Sequence, residues 1–227
     1  MFSDQFSGQA CPPRDCPRCA RLVAYRQEAR ARAPDWFNAP VPPFGAPDAR
    51  LLIVGLAPGL QGANRTGRPF TGDYAGDLLY STLGEFGLAA GTYAARPDDG
   101  LTLVDAAIVN AVRCVPPQNK PLPAEIAQCR PFLSSAVAEM PQLRVLVALG
   151  RVAHESVVRT FAAKLSAHTF AHGAEFELQG PHGPVALLDS YHCSRYNTNT
   201  RVLTPDMFRA VFARARAILD DSPPKRG

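Results

Sequence analysis

The chain has 227 residues, 46% hydrophobic and 19% charged, the balance of a globular protein with enough length to bury a substantial core. No stretch approaches eighteen uninterrupted apolar residues, which excludes a membrane-spanning helix. The N-terminus carries Asp, Gln and Pro where an apolar signal core would stand, so a cytoplasmic, nucleoid-associated protein is expected rather than an exported one. A net charge of +4 is compatible with a polyanionic partner without demanding one. Nothing points to a large exposed apolar interface, and a monomer is expected.

Residues 16–32 read as an Arg- and Ala-rich helix that carries a Cys16-x-x-Cys19 step. A Pro-rich connection follows from Pro34 to Pro47. Residues 51–56 form a short apolar run bounded by Gly and Pro, the pattern of a buried parallel strand. That strand empties into a glycine-rich loop ending at Asp73. A helix over 74–87 is expected next, with Leu78, Leu79, Leu83 and Phe86 at helical spacing. A second strand at 103–109 ends at Asn110. A helix over 123–139 opens on prolines, and a strand at 144–149 leads through Gly150 into another helix. The stretch 165–184 reads as a short hairpin or irregular segment. A strand at 185–189 runs into Ser190-Tyr191-His192-Cys193-Ser194. Thr204 and Pro205 open a last helix with a buried stripe of Met207, Phe208, Val211, Phe212, Ala215 and Leu219. Alternating strands and helices predict an α/β fold, a parallel sheet covered on both faces. A single domain over 1–220 is expected, with a disordered tail over 221–227.

Of the six cysteines, Cys16, Cys19, Cys114 and Cys129 have the character of a metal site rather than of a disulfide framework. Cys129 shares a helix face with Ile126, Leu133 and Val137. Spacing alone leaves zinc and an iron–sulfur cluster both open, as well as the plainer alternative that Cys114 and Cys129 are small buried residues.

Ligands of open α/β sheets bind outside the carboxyl ends of the strands, where three of these loops emerge. Phe70 there could stack on a flat ligand. Asn110 offers a donor and an acceptor on one amide, His192 can donate to a carbonyl oxygen, and Asp73 could orient a water. Each has an ordinary alternative: a core phenylalanine, a turn-capping asparagine, a structural histidine, a helix-capping aspartate. Their placement at one edge of one sheet favours the functional reading. A nucleotide-binding enzyme of Rossmann type competes weakly, since G-x-G-x-x-G and a Walker lysine are both missing. A non-enzymatic iron–sulfur or zinc module that binds DNA would explain the cysteines. It gives no reason for Phe70, Asp73, Asn110 and His192 to assemble.

The run Gly55-Leu56-Ala57-Pro58-Gly59 with Asn64-Arg65-Thr66-Gly67-Arg68-Pro69-Phe70-Thr71-Gly72-Asp73 resembles motif one of the family 5 uracil-DNA glycosylases (UDGb). His192-Cys193-Ser194-Arg195-Tyr196-Asn197 resembles their second motif, and the four cysteines match their iron–sulfur ligands in order and approximate spacing. The resemblance implies a three-layer α/β/α sandwich around a four-stranded parallel sheet, a structural 4Fe–4S cluster, and hydrolytic removal of uracil from DNA. Action on other deaminated bases such as hypoxanthine is implied as well. It places Gly55, Ala57, Pro58, Gly59, Phe70, Asn110 and His192 around the flipped base, and gives Asp73 the water. Asn64, Arg65, Arg68, Ser194, Arg195, Tyr196 and Asn197 are implied to face DNA, Arg195 and Tyr196 in a loop that enters the duplex. Three departures stand out. Leu56 replaces the glutamate of family 4, Ala57 replaces the aspartate of the best-known uracil enzymes, and Cys193 follows His192 where proline is common.

Overall fold

The computed structural model of the protein describes residues 5–221. Helix α1 (Ala20–Arg32) leads to a short strand β1 (Phe44–Gly45) and then to β2 (Leu51–Gly55). The loop after β2 holds one short helix, α2 (Ala63–Thr66), before α3 (Tyr74–Glu85). A small hairpin of β3 (Ala89–Ala90) and β4 (Thr102–Leu103) precedes β5 (Ala106–Asn110) and α4 (Pro123–Ala138). Next come β6 (Val145–Leu149), α5 (Arg151–Thr160), the hairpin β7 (Glu175–Gly180) and β8 (Gly183–Ser190), α6 (Arg195–Asn199) and α7 (Pro205–Asp221).

The main sheet has the order β1-β5-β2-β6-β8-β7. Strands β5, β2, β6 and β8 are parallel and give the expected four-stranded core; β1 and β7 add an antiparallel strand at each edge. Of the four inner strands, β2, β5 and β6 read as apolar runs because both of their faces are covered. Leu51, Ile53, Ile108, Val147 and Leu188 pack in the layer of α3 and α7, whose buried Leu79, Leu83, Phe208 and Phe212 complete it. Leu52, Val54, Val109, Leu146 and Leu187 pack in the layer of α4 and α5, with Leu133, Val137, Ala153 and Val157. Helix α7 starts as expected, with the Thr204 hydroxyl accepting from the Met207 amide at 3.2 Å.

Two expectations need correction. The first helix begins at Ala20, so Cys16 and Cys19 sit in the loop before it rather than on its first turns. Pro17 drives Cys16, the residue before it, out of the helical region, and Cys19 is the extended N-cap at φ −123°, ψ 96°. The anticipated tail loses Asp221, which belongs to α7, and its remaining residues 222–227 lie outside the described residues. No helix of the described residues is long and apolar enough to cross a membrane.

Candidate active site

The carboxyl ends of β2, β5 and β8 open on a cavity of ≈ 460 Å³. Its walls bring together Ala57, Pro58, Gly59, Phe70, Asp73, Asn110, His192, Ser194 and Arg195. Sequence reasoning missed Leu56, Ala63, Tyr74, Ala75 and Asn119 on the same walls. Asn119 follows Gln118 in the left-handed region (φ +56° for both), a turn that Pro116-Pro117 foreshadows without revealing where its side chains lead.

Gly55 ends β2 directly opposite Asn110 of β5. A Cβ at Gly55 would lie 2.5 Å from Asn110 Oδ1 and 2.6 Å from Phe70 Cζ, so a glycine is what lets the amide and the ring meet. Phe70 is buried and held at φ +52°, an unusual conformation for an aromatic residue. Two tyrosine hydroxyls brace it, Tyr80 donating to the Pro69 carbonyl at 2.6 Å and Tyr93 to the Phe70 carbonyl at 3.1 Å. Its ring stacks beside the His192 imidazole, centroids 5.9 Å apart and planes 28° from parallel. Gly55→Ala is expected to leave the fold in place while displacing Phe70 and Asn110. An ångström of misplacement costs about 10²-fold in rate, which a single-turnover assay of the reaction at this cavity would measure.

Asp73 stands at the N-cap of α3, yet its side chain makes no capping hydrogen bond. Its Oδ1 is buried and without a partner, while Oδ2 faces Gly62, where any Cβ would collide with it. Burial raises the carboxyl pKa, opposed by the nearby Gly76 and Ala75 amides and assisted by Asp77. His192 is enclosed by protein except where it meets the cavity, and burial pushes its pKa down to about 4. At neutral pH it is therefore an uncharged imidazole with one N–H to donate. Its loop is closed internally: Asn197 Nδ2 donates to the His192 carbonyl at 2.8 Å, and Ser194 Oγ accepts from the Asn197 amide at 3.3 Å. The buried Cys193 thiol donates to the Ala75 carbonyl at 3.5 Å, tying this loop to the start of α3.

The residues implied to face DNA divide. Arg65, Arg195 and Tyr196 are exposed, Tyr196 at 73%, and the Arg195 guanidinium lies 5.2 Å from the Tyr74 ring centroid. Asn64 and Arg68 are instead buried and committed to protein partners. Asn64 Nδ2 donates to Asn38 Oδ1 at 2.8 Å. Arg68 makes a two-pronged pair with Asp99, both contacts 2.8 Å, and donates from Nε to Thr71 Oγ1 at 2.7 Å. Motif spacing could not disclose Asp99, which lies thirty-one residues along the chain. The Arg68 guanidinium holds the Asp99 carboxyl well below the usual carboxylate range. With side chains only 6% and 1% exposed, removing either partner leaves a buried unpaired charge. Asp99→Ala is expected to cost about 3–5 kcal/mol in a denaturant unfolding experiment, because the Ala94 and Leu101 amides, which donate to the carboxylate at 2.9 and 3.1 Å, lose their acceptor together with Arg68.

The four cysteines singled out in the sequence border one small cavity between α1 and α4, beneath the loop that follows β5. Among the described residues, no three of His, Cys, Asp or Glu are gathered closely enough for a single metal ion. Two arginines share this cavity. Arg113 is fully buried, with Nε and Nη1 unpartnered, and its backbone amide donates to Cys129 Sγ at 3.3 Å. Arg26 is 3% exposed, donates from Nη1 to Cys114 Sγ at 3.5 Å, and has an unpartnered Nε. Arg113 Nη2 donates to the Phe132 carbonyl at 3.4 Å and Arg26 Nη2 to the Cys16 carbonyl at 3.1 Å. Two buried guanidiniums beside four cysteines, neither hydrogen-bonded to a carboxylate, fit an anionic centre built on those sulfurs. Ala57 of the active-site cavity packs against the same cluster, and the Ala111 and Val112 amides donate to the Gly55 and Leu56 carbonyls at 2.9 and 3.0 Å.

Comparison with known proteins agrees with this architecture. Residues 42–216 match the model of the uracil DNA glycosylase superfamily. The chain is 46% identical over 209 residues to the type-5 uracil-DNA glycosylase of Thermus thermophilus, covering 89% of this chain and 93% of that protein. It is 38% identical to the type-5 enzyme of Pyrobaculum aerophilum, covering 89% and 88%, and 40% identical to that of Mycobacterium tuberculosis, covering 89% and 78%. With its strand-end cavity and a superfamily match that spans the whole sheet, this chain belongs to the type-5 uracil-DNA glycosylases of the uracil DNA glycosylase superfamily.

Proposed function

We propose that the protein flips uracil, and other deaminated bases such as hypoxanthine, out of DNA and hydrolyses the N-glycosidic bond to leave an abasic site. The observation that carries this reading is the convergence of Phe70, Asn110, His192 and Asp73 on one cavity. Extruding a base costs a few kcal/mol, least where pairing is already weak. Stacking on Phe70 returns roughly 1–3 kcal/mol of that cost. Asn110 reads the polar edge of the base with its amide. When the bond from the sugar carbon to the base nitrogen breaks, its electron pair leaves with uracil and positive charge develops on the sugar. The neutral His192 donates its N–H to the oxygen on which negative charge grows, and backbone amides of Ala57 to Gly59 assist. Donors aimed at developing charge give the largest single gain. Water then adds to the sugar carbon, and its proton passes to the Asp73 carboxylate. Neither Leu56 nor Ala57 has a group that could take this proton, which leaves it to Asp73. Arg65, Arg195 and Tyr196 engage the strand around the lesion.

Cys16, Cys19, Cys114 and Cys129 would hold a 4Fe–4S cluster, which serves to bind the N-terminal segment, α4 and the loop after β5 into one structure. The cluster is preferred to zinc because Cys16, Cys19, Cys114 and Cys129 match the iron–sulfur cysteines of families 4 and 5 in order and approximate spacing, and a second tight Cys-x-x-Cys pair of the kind zinc sites carry is missing from the sequence. Excision is tested by incubating the protein with uracil-containing oligonucleotides and cleaving abasic sites with alkali. Strand scission is expected at uracil. No scission at uracil, hypoxanthine or xanthine opposite any base would overturn the enzymatic reading and favour a DNA-binding module without catalysis.

A further inference from the structure

Beneath the His192 loop lies a buried acid–base pair that the proposed chemistry does not use. His154 of α5 is 1% exposed, and Asp189, near the end of β8, is fully buried. His154 Nδ1 lies 2.8 Å from Asp189 Oδ1, and its Nε2 lies 2.8 Å from the His168 carbonyl oxygen. A carbonyl only accepts, so Nε2 must carry a proton. The contact to Asp189 needs a second proton, on the imidazole or on the acid. Either way the pair holds that proton and is neutral as a unit, which is how so deeply buried a pair avoids an uncompensated charge.

The pair fixes more than itself. Asp189 exchanges backbone hydrogen bonds with the 173–174 segment, its amide donating to the Ala174 carbonyl and its carbonyl accepting from the Gly173 amide, both at 2.9 Å. In the same segment, His172 Nδ1 accepts from the Tyr191 amide at 3.2 Å, and its ring stacks on Tyr191 with centroids 5.1 Å apart. The segment 168–174 is thus anchored at its start by His154 and at its end by Asp189, and it holds the residue immediately before His192. We propose that His154 and Asp189 are positioning residues that set the place of the His192 imidazole through this segment, and that loss of their shared proton releases it. This rests on the reading of His192 as the donor to the leaving base.

The pH dependence follows from the count of protons. The unfolded chain gives up the histidine proton near pH 6.5 and the aspartate proton near pH 3.9, whereas the folded pair retains one. The pair's stabilisation is complete between about pH 4 and pH 6.5, where both states hold one proton. It falls below that window, where the unfolded chain binds a second proton, and drains away as pH rises above it. Asp189 from β8 is the charged partner facing His154, with Glu155 on its own helix acting in the same sense; the other near neighbours are the Phe170 and Phe176 rings.

Two measurements test this. In the unmodified protein, nitrogen NMR of His154 at neutral pH should show no bare ring nitrogen, that is, none lacking both a proton and the hydrogen bond of a protonated Asp189. Amides 168–174 and 190–194 should lose exchange protection above neutral pH, after correction for intrinsic rates. A bare nitrogen, or protection independent of pH, overturns the proposal. The variant His154→Phe with Asp189→Leu replaces the pair by apolar groups of similar size, a change the fold commonly tolerates. In single-turnover assays it should excise uracil up to about 10²-fold more slowly, with binding to abasic DNA unchanged and no alkaline limb from this pair. Parental rate and protection in a folded double variant would reduce the pair to ordinary packing. If the unmodified protein excises no uracil, it is the glycosylase reading that fails, and the NMR and exchange data still decide the pair.

Discussion

Replacing Asp73 by asparagine is expected to lower uracil excision by about 10²–10⁴-fold and to leave the fold at least as stable. The two halves of that result have one cause. Asp73 Oδ1 is buried without a partner, and burial raises the pKa of the carboxyl. A folded-state pKa above the unfolded value means that the ionised carboxylate opposes folding at neutral pH, so removing the charge relieves that cost. Asparagine keeps the shape beside Gly62 and loses the ability to take a proton from water. Thermal unfolding and single-turnover excision on the same preparation separate the two effects. The pH profile gives a second check. Excision should fall as pH drops through a pKa above the ordinary carboxylate value of about 3.9. His192 stays neutral until about pH 4, so an acid limb above that belongs to Asp73 and should vanish from the residual activity of Asp73→Asn. A variant with parental excision rate would remove Asp73 from the mechanism.

The second large effect is expected at the cysteines. Purified protein should be brown and contain iron and sulfide, and Cys114→Ala should lose both. Without the anionic centre, Arg113 and Arg26 are left as buried guanidiniums with no counter-charge, a defect of about 3–5 kcal/mol. The damage should reach the active site, because Ala111 and Val112 carry the link from this cavity to Gly55 and Leu56. Loss of excision should therefore accompany loss of colour and a lower melting temperature. A colourless, zinc-containing protein with full activity would sink the cluster assignment. A Cys114→Ala variant as stable as the parent would show that the arginines find another partner.

How far the sequence reaches can be judged residue by residue. The apolar runs at 51–56, 103–109 and 144–149 declare the buried parallel strands Leu51–Gly55, Ala106–Asn110 and Val145–Leu149, because strands covered on both faces need no polar alternation. The ends of the first two, with the end of the strand read at 185–189, locate the loop to Asp73, Asn110 and His192 at one edge of the sheet, and chain order and local chemistry suffice for that. Helix α7 is announced by Thr204 and Pro205 for the same local reason. Edge strand β1 escapes because two residues at Phe44–Gly45 carry no signature of their own. Strand β7 lies in the stretch read as a hairpin or irregular segment, where Phe176 and Leu178 turn inward between exposed Glu175, Glu177 and Gln179. The start of α1 is misplaced because its N-cap, Cys19, makes no side-chain capping bond and so leaves no mark in the sequence.

The loop from Leu51 to Asp73 marks the same boundary within a single motif. Its composition selects a site for a flat polar ligand, but composition alone gives Arg65 and Arg68 the same role. The fold sends one to solvent and buries the other against Asp99. It likewise decides that Asp73 is desolvated with one carboxylate oxygen unpartnered, that His192 is neutral, and that His154 and Asp189 meet thirty-five residues apart. Strand pattern, turn chemistry and motif spacing are local properties, so the sequence by itself determines them. Burial and partnership depend on what the rest of the chain brings alongside, and only the tertiary structure decides those.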